Sequence, residues 1–155
     1  MATDVAKGLQ KAVIFSVDDK EYAVDVNLVL SIERILPITR VPNVPKYIRG
    51  VVNLRGKIVP IMDLRLRLGL EEAPFTNQTR VIIIKLEEKE VGLVVDQALD
   101  VLDFSEEELE EQPEFSGTEK VEFVKGILRK ENRFFILLDV DVILFDKGMS
   151  GIGSD

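Results

Sequence analysis

The amino-acid sequence contains an internal duplication that covers most of its length. Residues 12–32 align with residues 81–101 at an offset of 69, and residues 47–64 align with residues 123–140 at an offset of 76, without a gap in either block. Seven of the 39 aligned pairs are identical: Ile14/Ile83, Lys20/Lys89, Glu21/Glu90, Val26/Val95, Leu30/Leu99, Gly50/Gly126 and Asp63/Asp139. Because a repeat of this kind encodes a repeated structural unit, we expect two halves with the same succession of elements.

Each half begins with a predicted β-hairpin. An apolar, β-branched run at 13–17 is followed by a charged turn and a second run at 22–26, and the runs at 81–86 and 91–95 repeat the arrangement. Two such runs joined by a few polar residues are typical of an antiparallel hairpin.

A later strand in each half carries a central glycine, Gly50 or Gly126. A glycine inside a strand predicts a β-bulge or a sharp bend. Another hairpin is predicted after each of these strands, with tips at 54–57 and 130–132, because glycine and asparagine tolerate the positive φ of tight turns.

Short helices are predicted between and after these strands. Residues 27–32 and 96–102 are each expected to form a helical turn or short helix, because Val29 and Ile32 are three residues apart. Side chains with capping spacing mark three further starts: Asp63 for 64–68, Asp139 for 140–147 and Ser105, with Glu108, for 106–111.

These elements predict a mainly β protein. Five strands in about 65 residues bury little surface alone, so we expect two small five-stranded barrels that share a hydrophobic interface, with short helices. The predicted domain spans 12–147 and consists of two subdomains, 12–70 and 79–147, with flexible tails at 1–11 and 148–155. A groove between the subdomains is the expected binding site.

The composition excludes several kinds of chemistry. The chain has no histidine and no cysteine, which rules out disulfides, thiolate nucleophiles, Cys/His zinc sites, Ser-His-Asp triads and phosphohistidine. The sequence also lacks the glycine-rich loops that bind phosphate. The acidic pairs Asp18-Asp19 and Glu87-Glu88 lie at predicted hairpin tips, where water keeps them ionised. We therefore predict no catalytic residue, metal site or cofactor.

The charge is divided along the chain. Eight basic residues and one acid between 34 and 67 give +7, whereas fourteen acids and two lysines between 87 and 122 give −12. The basic segment leaves a nucleic-acid-binding barrel open as an alternative. However, Tyr47 is its only aromatic residue, and the net charge of −8 opposes phosphate binding. The N-terminal residues lack the apolar core of a signal peptide and no window is long and apolar enough to span a membrane, so we expect a cytoplasmic protein.

Residues 41–64 resemble the signature of the CheW family, P-x-x-I-x-G-V-x-N-L-R-G-x-I-x-P-x-x-D-L, at every fixed position. Residues 90–96 and the blocks 123–127 and 137–140 also resemble family segments, so the similarity covers about residues 12–146. The resemblance implies two five-stranded SH3-like barrels and a non-enzymatic adaptor. This adaptor would couple the regulatory domain of the chemotaxis histidine kinase CheA to the cytoplasmic tip of methyl-accepting chemoreceptors.

Such an adaptor is recruited to the inner membrane through chemoreceptors and neither enters the bilayer nor binds nucleic acid; we expect a monomer. The length favours a free-standing coupling protein, and a regulatory domain from a kinase or a CheV-type protein is the alternative. The family positions implied for receptor binding are Val29, Gly50, Asn53 and Arg55. Those implied for kinase binding are Val91, in an expected exposed apolar patch, and Phe115.

Overall fold

The computed structural model describes residues 10–111 and 121–145, and this part of the chain is built mainly from β-strands. The strands are β1 Gln10–Val17, β2 Lys20–Asp25, β3 Val29–Glu33, β4 Ile48–Leu54, β5 Lys57–Asp63, β6 Arg80–Leu86, β7 Lys89–Val95, β8 Gln97–Phe104, β9 Leu109–Glu111, β10 Val124–Lys130 and β11 Arg133–Leu138; the α-helices are α1 Leu64–Arg67 and α2 Val140–Leu144. The element order repeats from one half to the other, as the duplication predicts.

The strands form two sheets. Sheet A has the order β8-β1-β2-β11-β10-β9, and sheet B has the order β3-β6-β7-β5-β4. The predicted mainly β fold is confirmed. Sheet B has the expected five strands, whereas sheet A has six because the short strand β9 pairs with β10 at its edge.

The two sheets do not follow the two halves of the chain. The first hairpin of each half lies in the sheet that the other half otherwise builds: β1–β2 joins β8, β9, β10 and β11, whereas β6–β7 joins β3, β4 and β5. The sheets therefore do not separate at the expected subdomain boundary between 12–70 and 79–147. The two strands of a hairpin are close in sequence, but the strands that pair with its outer edges are distant in sequence. The hairpin's own residues therefore do not specify which half supplies those strands.

Each exchanged hairpin is attached through a short parallel pairing. In sheet A, Tyr22 of β2 lies beside Ile136 of β11, and in sheet B, Gly92 of β7 lies beside Ile61 of β5. The Oε1 atom of Glu21 accepts from Arg133 Nη2 at 3.2 Å at the first pairing.

An equivalent ion pair lies at the second parallel pairing. Glu90 Oε2 accepts from Lys57 Nζ at 2.9 Å. The duplication aligns Glu21 with Glu90 and Lys57 with Arg133, so the identical glutamates have the same structural role. These largely exposed pairs contribute little energy, on the order of 0.5 kcal/mol each, but they fix the register.

Hydrophobic clusters lie on both faces of the sheets. The largest contains buried side chains from both sheets, such as Phe15, Tyr22, Ile82 and Leu93, and forms the predicted shared interface. A cluster around Phe135 covers the other face of sheet A, and a third covers the other face of sheet B. Because consecutive residues face different clusters, the central strands are continuous apolar runs rather than alternating ones.

The local turns and caps agree with the sequence analysis at several places. The two-residue turns Asp18-Asp19 and Arg55-Gly56 have positive φ, as tight hairpins require. Asp63 Oδ1 accepts from the N–H of Arg65 at the start of α1, and Asp139 Oδ1 accepts from Val142 at the start of α2. The helix predicted over 140–147 is too long, because it ends at Leu144 and Phe145 has extended backbone; residues 146 and 147 lie outside the described residues.

Three other predicted helices are wrong or too long. Residues 27–32 form only the end of a 3-10 turn, Val26–Leu28, followed by β3. Residues 96–102 belong mostly to β8, and the acidic segment has a 3-10 turn only at Glu106–Glu108 before β9. In each case, pairing with a neighbouring strand outweighs the local preference.

The capping box at Ser105 is nevertheless present. The Ser105 N–H donates to Glu108 Oε1 at 2.9 Å, and the Ser105 hydroxyl lies 3.4 Å from the same oxygen. The bond from the Ser105 N–H lowers the pKa of Glu108. The Glu108 N–H donates to the Ser105 carbonyl at 3.1 Å and closes the 3-10 turn. The box therefore stabilises a single turn rather than a longer helix.

Asp96 joins elements of both sheets at the connection between β7 and β8. Its carboxylate accepts from Arg65 of α1 at 2.8 and 3.1 Å and from the N–H of Asp18 at the β1–β2 tip at 2.8 Å. Burial raises the pKa of Asp96, but the bonds from Arg65 and Asp18 outweigh burial, and the net shift is downward.

We predict that Asp96→Asn reduces stability by about 1 kcal/mol at neutral pH. Because the folded state lowers the pKa of Asp96 below its ordinary value, the ionised carboxylate stabilises the fold at neutral pH, and this contribution is lost as the pH falls through the lowered pKa. The deficit, measured by urea unfolding at pH 7 and pH 3, should therefore shrink on acidification. Asp19→Asn, at the exposed hairpin tip, is the control; an equal deficit in both variants would contradict the role of Asp96.

Candidate docking surfaces

The exposed apolar side chains of the described residues follow the duplication. Eight large hydrophobic residues are exposed, and six of them form three pairs at the two offsets: Leu30/Leu99, Ile32/Val101 and Ile58/Phe134. Folding alone does not require an apolar side chain in water at the same place in both halves. Such residues are typical of surfaces that bind another protein.

The identical leucines lie at equivalent β-bulges. Leu30 is the extra residue between Val29 and Ser31 where β3 pairs with β6, and Leu99 is the extra residue where β8 pairs with β1. Bulges redirect a side chain and are frequent at functional edges. Leu30 is 52% exposed and Leu99 37% exposed, so both bulges place a leucine on the outside of an edge strand.

We call Leu30, Ile32 and Arg55 the β3 surface. Leu30 and Ile32 point outward from edge strand β3, whereas Val29 is half-buried and packs against the core. Val29 and Ile32 therefore lie on opposite faces of a strand, not on one face of a helix. Val29 packs beneath the β3 surface, against the core. The sequence analysis expected it on a helical segment, and this expectation is wrong.

Arg55 lies at the tip of the β4–β5 hairpin and forms an ion pair with Glu33 of β3. The Nη2–Oε2 distance is 3.1 Å, and the Arg55 side chain is mostly exposed. Because β3 and β4 are opposite edges of sheet B, this contact shows that the sheet curls until its edges approach. Asn53 Oδ1 accepts from the Gly56 N–H at 3.0 Å and holds the turn.

Gly50 permits a close backbone approach. It has φ +143°, and a Cβ at this position would lie 2.1 Å from the carbonyl oxygen of Thr39. Thr39 and Val51 exchange two backbone hydrogen bonds of 2.8 Å. Gly126 has the equivalent contact, with Glu110 in the place of Thr39. The predicted bulges at both glycines are confirmed.

Arg49, the bulged residue beside Gly50, connects β4 to the segment between the halves. Its Nη1 donates to Glu72 at 2.6 Å, and its guanidinium stacks on Phe75. Its Nε lies 3.5 Å from Asp63 Oδ2. Burial raises the pKa of Asp63 despite the nearby Arg49 and two backbone N–H donors, whereas the bond from Arg49 lowers the pKa of Glu72. Arg49 therefore lies between the carboxylates of Glu72 and Asp63 and connects β4 to both of them.

The structure contradicts the expected position of Val91. This residue lies on the interior strand β7, is 4% exposed and belongs to the cluster shared by the sheets. The prediction that Val91 contributes to an exposed apolar patch is wrong, because β7 is buried on both faces. Phe115, the other position implied for kinase binding, lies outside the described residues.

A surface that the sequence analysis missed lies on sheet A. Phe134 of β11 is 62% exposed and is the register partner of Arg129 on β10. Arg129 Nε donates to Glu110 of β9 at 3.3 Å. We call Phe134, Arg129 and Glu110 the β9–β11 surface. The signal available in the sequence was the alignment of Phe134 with Ile58, an apolar residue at the equivalent position. The structure shows that both side chains are exposed.

Across residues 10–111 and 121–145, no cluster of three or more acidic side chains has a geometry that would hold a metal ion. The helices in this part of the chain are also too short to cross a membrane.

Three of the four predicted receptor positions, Gly50, Asn53 and Arg55, belong to the β4–β5 hairpin, and Arg55 connects this hairpin to β3.

Comparisons with known proteins agree with this architecture. The CheW-like domain family matches residues 11–147. A chemotaxis protein CheW from Bacillus subtilis is 42% identical over 93% of this chain and 92% of its own length, and one from Thermotoga maritima is 34% identical over 84% of each. The crystal structure of the scaffolding protein TtCheW from Thermoanaerobacter tengcongensis superposes with a TM-score of 0.83 at 30% identity, covering 90% of this chain and 94% of that one.

We predict that Gly50→Ala destabilises the fold by about 3 kcal/mol or more, because the new Cβ clashes with a backbone oxygen in a conformation that favours glycine. Gly56→Ala is the matched control: it also has positive φ but no atom within 4 Å, so it should cost only about 1 kcal/mol. Urea unfolding measures both. If Gly50→Ala leaves the stability unchanged, folding does not require this glycine, and its role would instead be contact with a partner.

Proposed function

This chain belongs to the CheW-like domain family, and we propose that it is a non-enzymatic adaptor that couples the chemotaxis histidine kinase CheA to transmembrane chemoreceptors. Relatives that match almost the full chain are named chemotaxis proteins, and a structural relative is described as a scaffolding protein. An adaptor needs surfaces for two partners and no reactive group. The exposed apolar residues of this chain support such a role.

The observation that carries the proposal is the pair of bulged leucines. Leu30 and Leu99 are identical, occupy equivalent bulges and stay exposed on edge strands. Fully burying an exposed leucine contributes about 1.5–3 kcal/mol. Leu30 is 52% exposed and Leu99 37% exposed, so burying what remains exposed of each one contributes about 1 kcal/mol at an interface with a protein partner. The exposure of both leucines to solvent is explained by the binding of a protein partner and not by folding.

We assign the β3 surface to the chemoreceptor. The receptor tip is a helical hairpin, and a helix recognises a partner through an apolar stripe placed against an apolar wall. Leu30 and Ile32 supply the wall, Val29 supports it, and Arg55 supplies a charged contact at its rim. Asn53 and Gly50 hold the hairpin that presents Arg55.

We assign the β9–β11 surface to the kinase. Phe134 provides an aromatic anchor, a residue type enriched where protein partners bind most strongly. Arg129 and Glu110 form a polar rim beside it. Phe115, which lies outside the described residues, stays a second predicted contact for the kinase. Val91 contributes only by packing beneath sheet B.

The two assigned surfaces lie on different sheets, so binding of one partner leaves the other surface open. The adaptor itself is cytoplasmic and monomeric, and it is recruited to the inner membrane through receptors.

Co-sedimentation tests the adaptor role. Receptor-containing membranes, the kinase and this chain are mixed and pelleted, and kinase in the pellet is measured with and without the chain. We expect kinase recruitment to depend on this chain. Equal recruitment in its absence would overturn the proposal.

We predict that Leu30→Ser weakens receptor binding about tenfold or more and leaves kinase binding unchanged, because it removes the bulged anchor of the β3 surface. The measurement is titration with each partner separately, together with a thermal melt. Phe145→Ser is the control, because it removes an exposed apolar side chain that belongs to neither surface. If the two variants lose receptor affinity equally, Leu30 is not a specific anchor.

We predict the opposite pattern for Phe134→Ser: a loss of about tenfold or more in kinase binding with unchanged receptor binding. Phe145→Ser again serves as the control, since this exposed side chain belongs to neither surface. Intact kinase affinity in Phe134→Ser would remove the β9–β11 surface from the proposal while leaving the receptor surface untouched.

A further inference from the structure

Arg67, the last residue of α1, connects this helix to α2. Its Nε donates to the carbonyl oxygen of Ile143 at 2.8 Å, and its Nη2 donates to that of Val142 at 3.1 Å. Both carbonyls lie in the last turn of α2, where carbonyl groups have no partner within a helix. A positive charge is also favourable at this end of a helix. Arg67 therefore completes the C-terminal turn of α2 from outside that helix.

The guanidinium group of Arg67 also lies between two aromatic rings. Its central carbon is 4.9 Å from the ring centre of Tyr47 and 4.6 Å from that of Phe123. Tyr47 directly precedes β4 of sheet B, and Phe123 directly precedes β10 of sheet A. The rings set the plane of the guanidinium, and its two N–H bonds set its direction. An arginine held in this way defines an orientation between the sheets, which non-directional apolar contact alone does not.

The duplication shows that this contact joins equivalent parts of the two halves. Tyr47 aligns with Phe123, and the same offset of 76 brings Arg67 opposite Ile143, the residue whose carbonyl it binds. Each ring residue also accepts, through its own carbonyl, from the N–H of the aspartate that caps the helix of its half. Because the equivalent of the arginine is an isoleucine, the cation at this contact comes from the first half.

The two connected helices continue the strands that carry the proposed partner surfaces. α1 follows β5, which forms the hairpin that presents Arg55, and α2 follows β11, which carries Phe134. Arg67 thus completes a continuous path from the β3 surface, through β5, α1, α2 and β11, to the β9–β11 surface. A second arginine of α1 adds to this connection, because Arg65 Nη1 lies 3.7 Å from Asp18 Oδ1 at the β1–β2 turn of sheet A.

We infer that Arg67 is a positioning residue that fixes the orientation of sheet A relative to sheet B, and that the bound receptor controls the bound kinase through this contact. The inference rests on the proposed adaptor function. Coupling between two sites travels through contiguous packed and hydrogen-bonded contacts. If the sheets were held only by their shared apolar cluster, the chain would still recruit both partners but would not link their states. Loss of Arg67 should therefore separate recruitment of the kinase from its control by the receptor.

Spin labels measure the orientation of the sheets without any partner. The chain has no cysteine, so Lys11→Cys on β1 and Lys85→Cys on β6 place one label on each sheet at an exposed position. We expect Arg67→Leu to shift or broaden the distribution of distances between the labels, measured by pulsed electron paramagnetic resonance. Arg80→Leu is the matched control, because Arg80 also donates to two backbone carbonyls, but within its own segment. If Arg67→Leu changes the distribution no more than this control does, the inference is wrong.

Control of the kinase is measured with the assembled partners. Receptor-containing membranes and the kinase are mixed with each variant, and both kinase recruitment and the receptor-dependent change in kinase autophosphorylation are measured on the same samples. We expect Arg67→Leu to recruit kinase as the unmodified chain does and to reduce the receptor-dependent change about fivefold or more. If recruitment and control fall together, or if neither falls, the contact does not couple the partners. Failure of the unmodified chain to recruit kinase would instead contradict the adaptor function, and the spin-label result would be unaffected.

Arg67→Lys is a second variant, for use if a thermal melt shows that Arg67→Leu does not fold. Lysine keeps the positive charge and the alkyl chain, but its ammonium group lacks the planar, two-direction donor geometry of a guanidinium. We expect Arg67→Lys to fold and to change both the label distances and the kinase control in the same direction as Arg67→Leu. If Arg67→Lys matches the unmodified chain in both measurements, the guanidinium does not set the orientation and the inference is wrong.

Discussion

The structure depends on two parallel pairings, β2 with β11 and β5 with β7. They are the only places where the described hairpins β1–β2 and β6–β7 meet the last strand of the opposite half. Through them, together with the antiparallel pairings of β1 with β8 and of β3 with β6, both sheets become composites of the two halves. The central strands are covered on both faces by hydrophobic clusters. The same exchange leaves β3 as an edge strand, so the surface assigned to the receptor is a consequence of how the core is built.

Local signals predicted the elements well but not their arrangement. Hairpin tips and the caps at Asp63 and Asp139 were predictable because a turn or an N-cap is decided within a few residues. The sheet that each hairpin joins was not predictable, because both halves carry nearly the same pattern and the first hairpin of either half could pair with the strands of either half. The helices expected at 27–32 and 96–102 failed for a related reason. Strands β3 and β8 are specified by their partners β6 and β1, which are distant in sequence.

The docking residues show the same limit. The family motif located Asn53 and Arg55 on one hairpin tip, where the structure also has them. Val91 was misplaced because an apolar run gives no indication of whether one or both faces are buried. Leu30 was already an identical pair with Leu99, but its exposure comes from a bulge, and bulges without glycine leave no clear trace in a sequence.

The duplication separates what the fold requires from what each surface does. Glu21 and Glu90 remain identical because both bind a cation across a parallel pairing. At the equivalent hairpin tips, by contrast, Arg55 aligns with Glu131, and both have φ between 50° and 60°. The backbone is thus retained while the charge is reversed. One unit used twice gives two similar scaffolds, and opposite charges at equivalent positions allow them to bind different partners without a second fold.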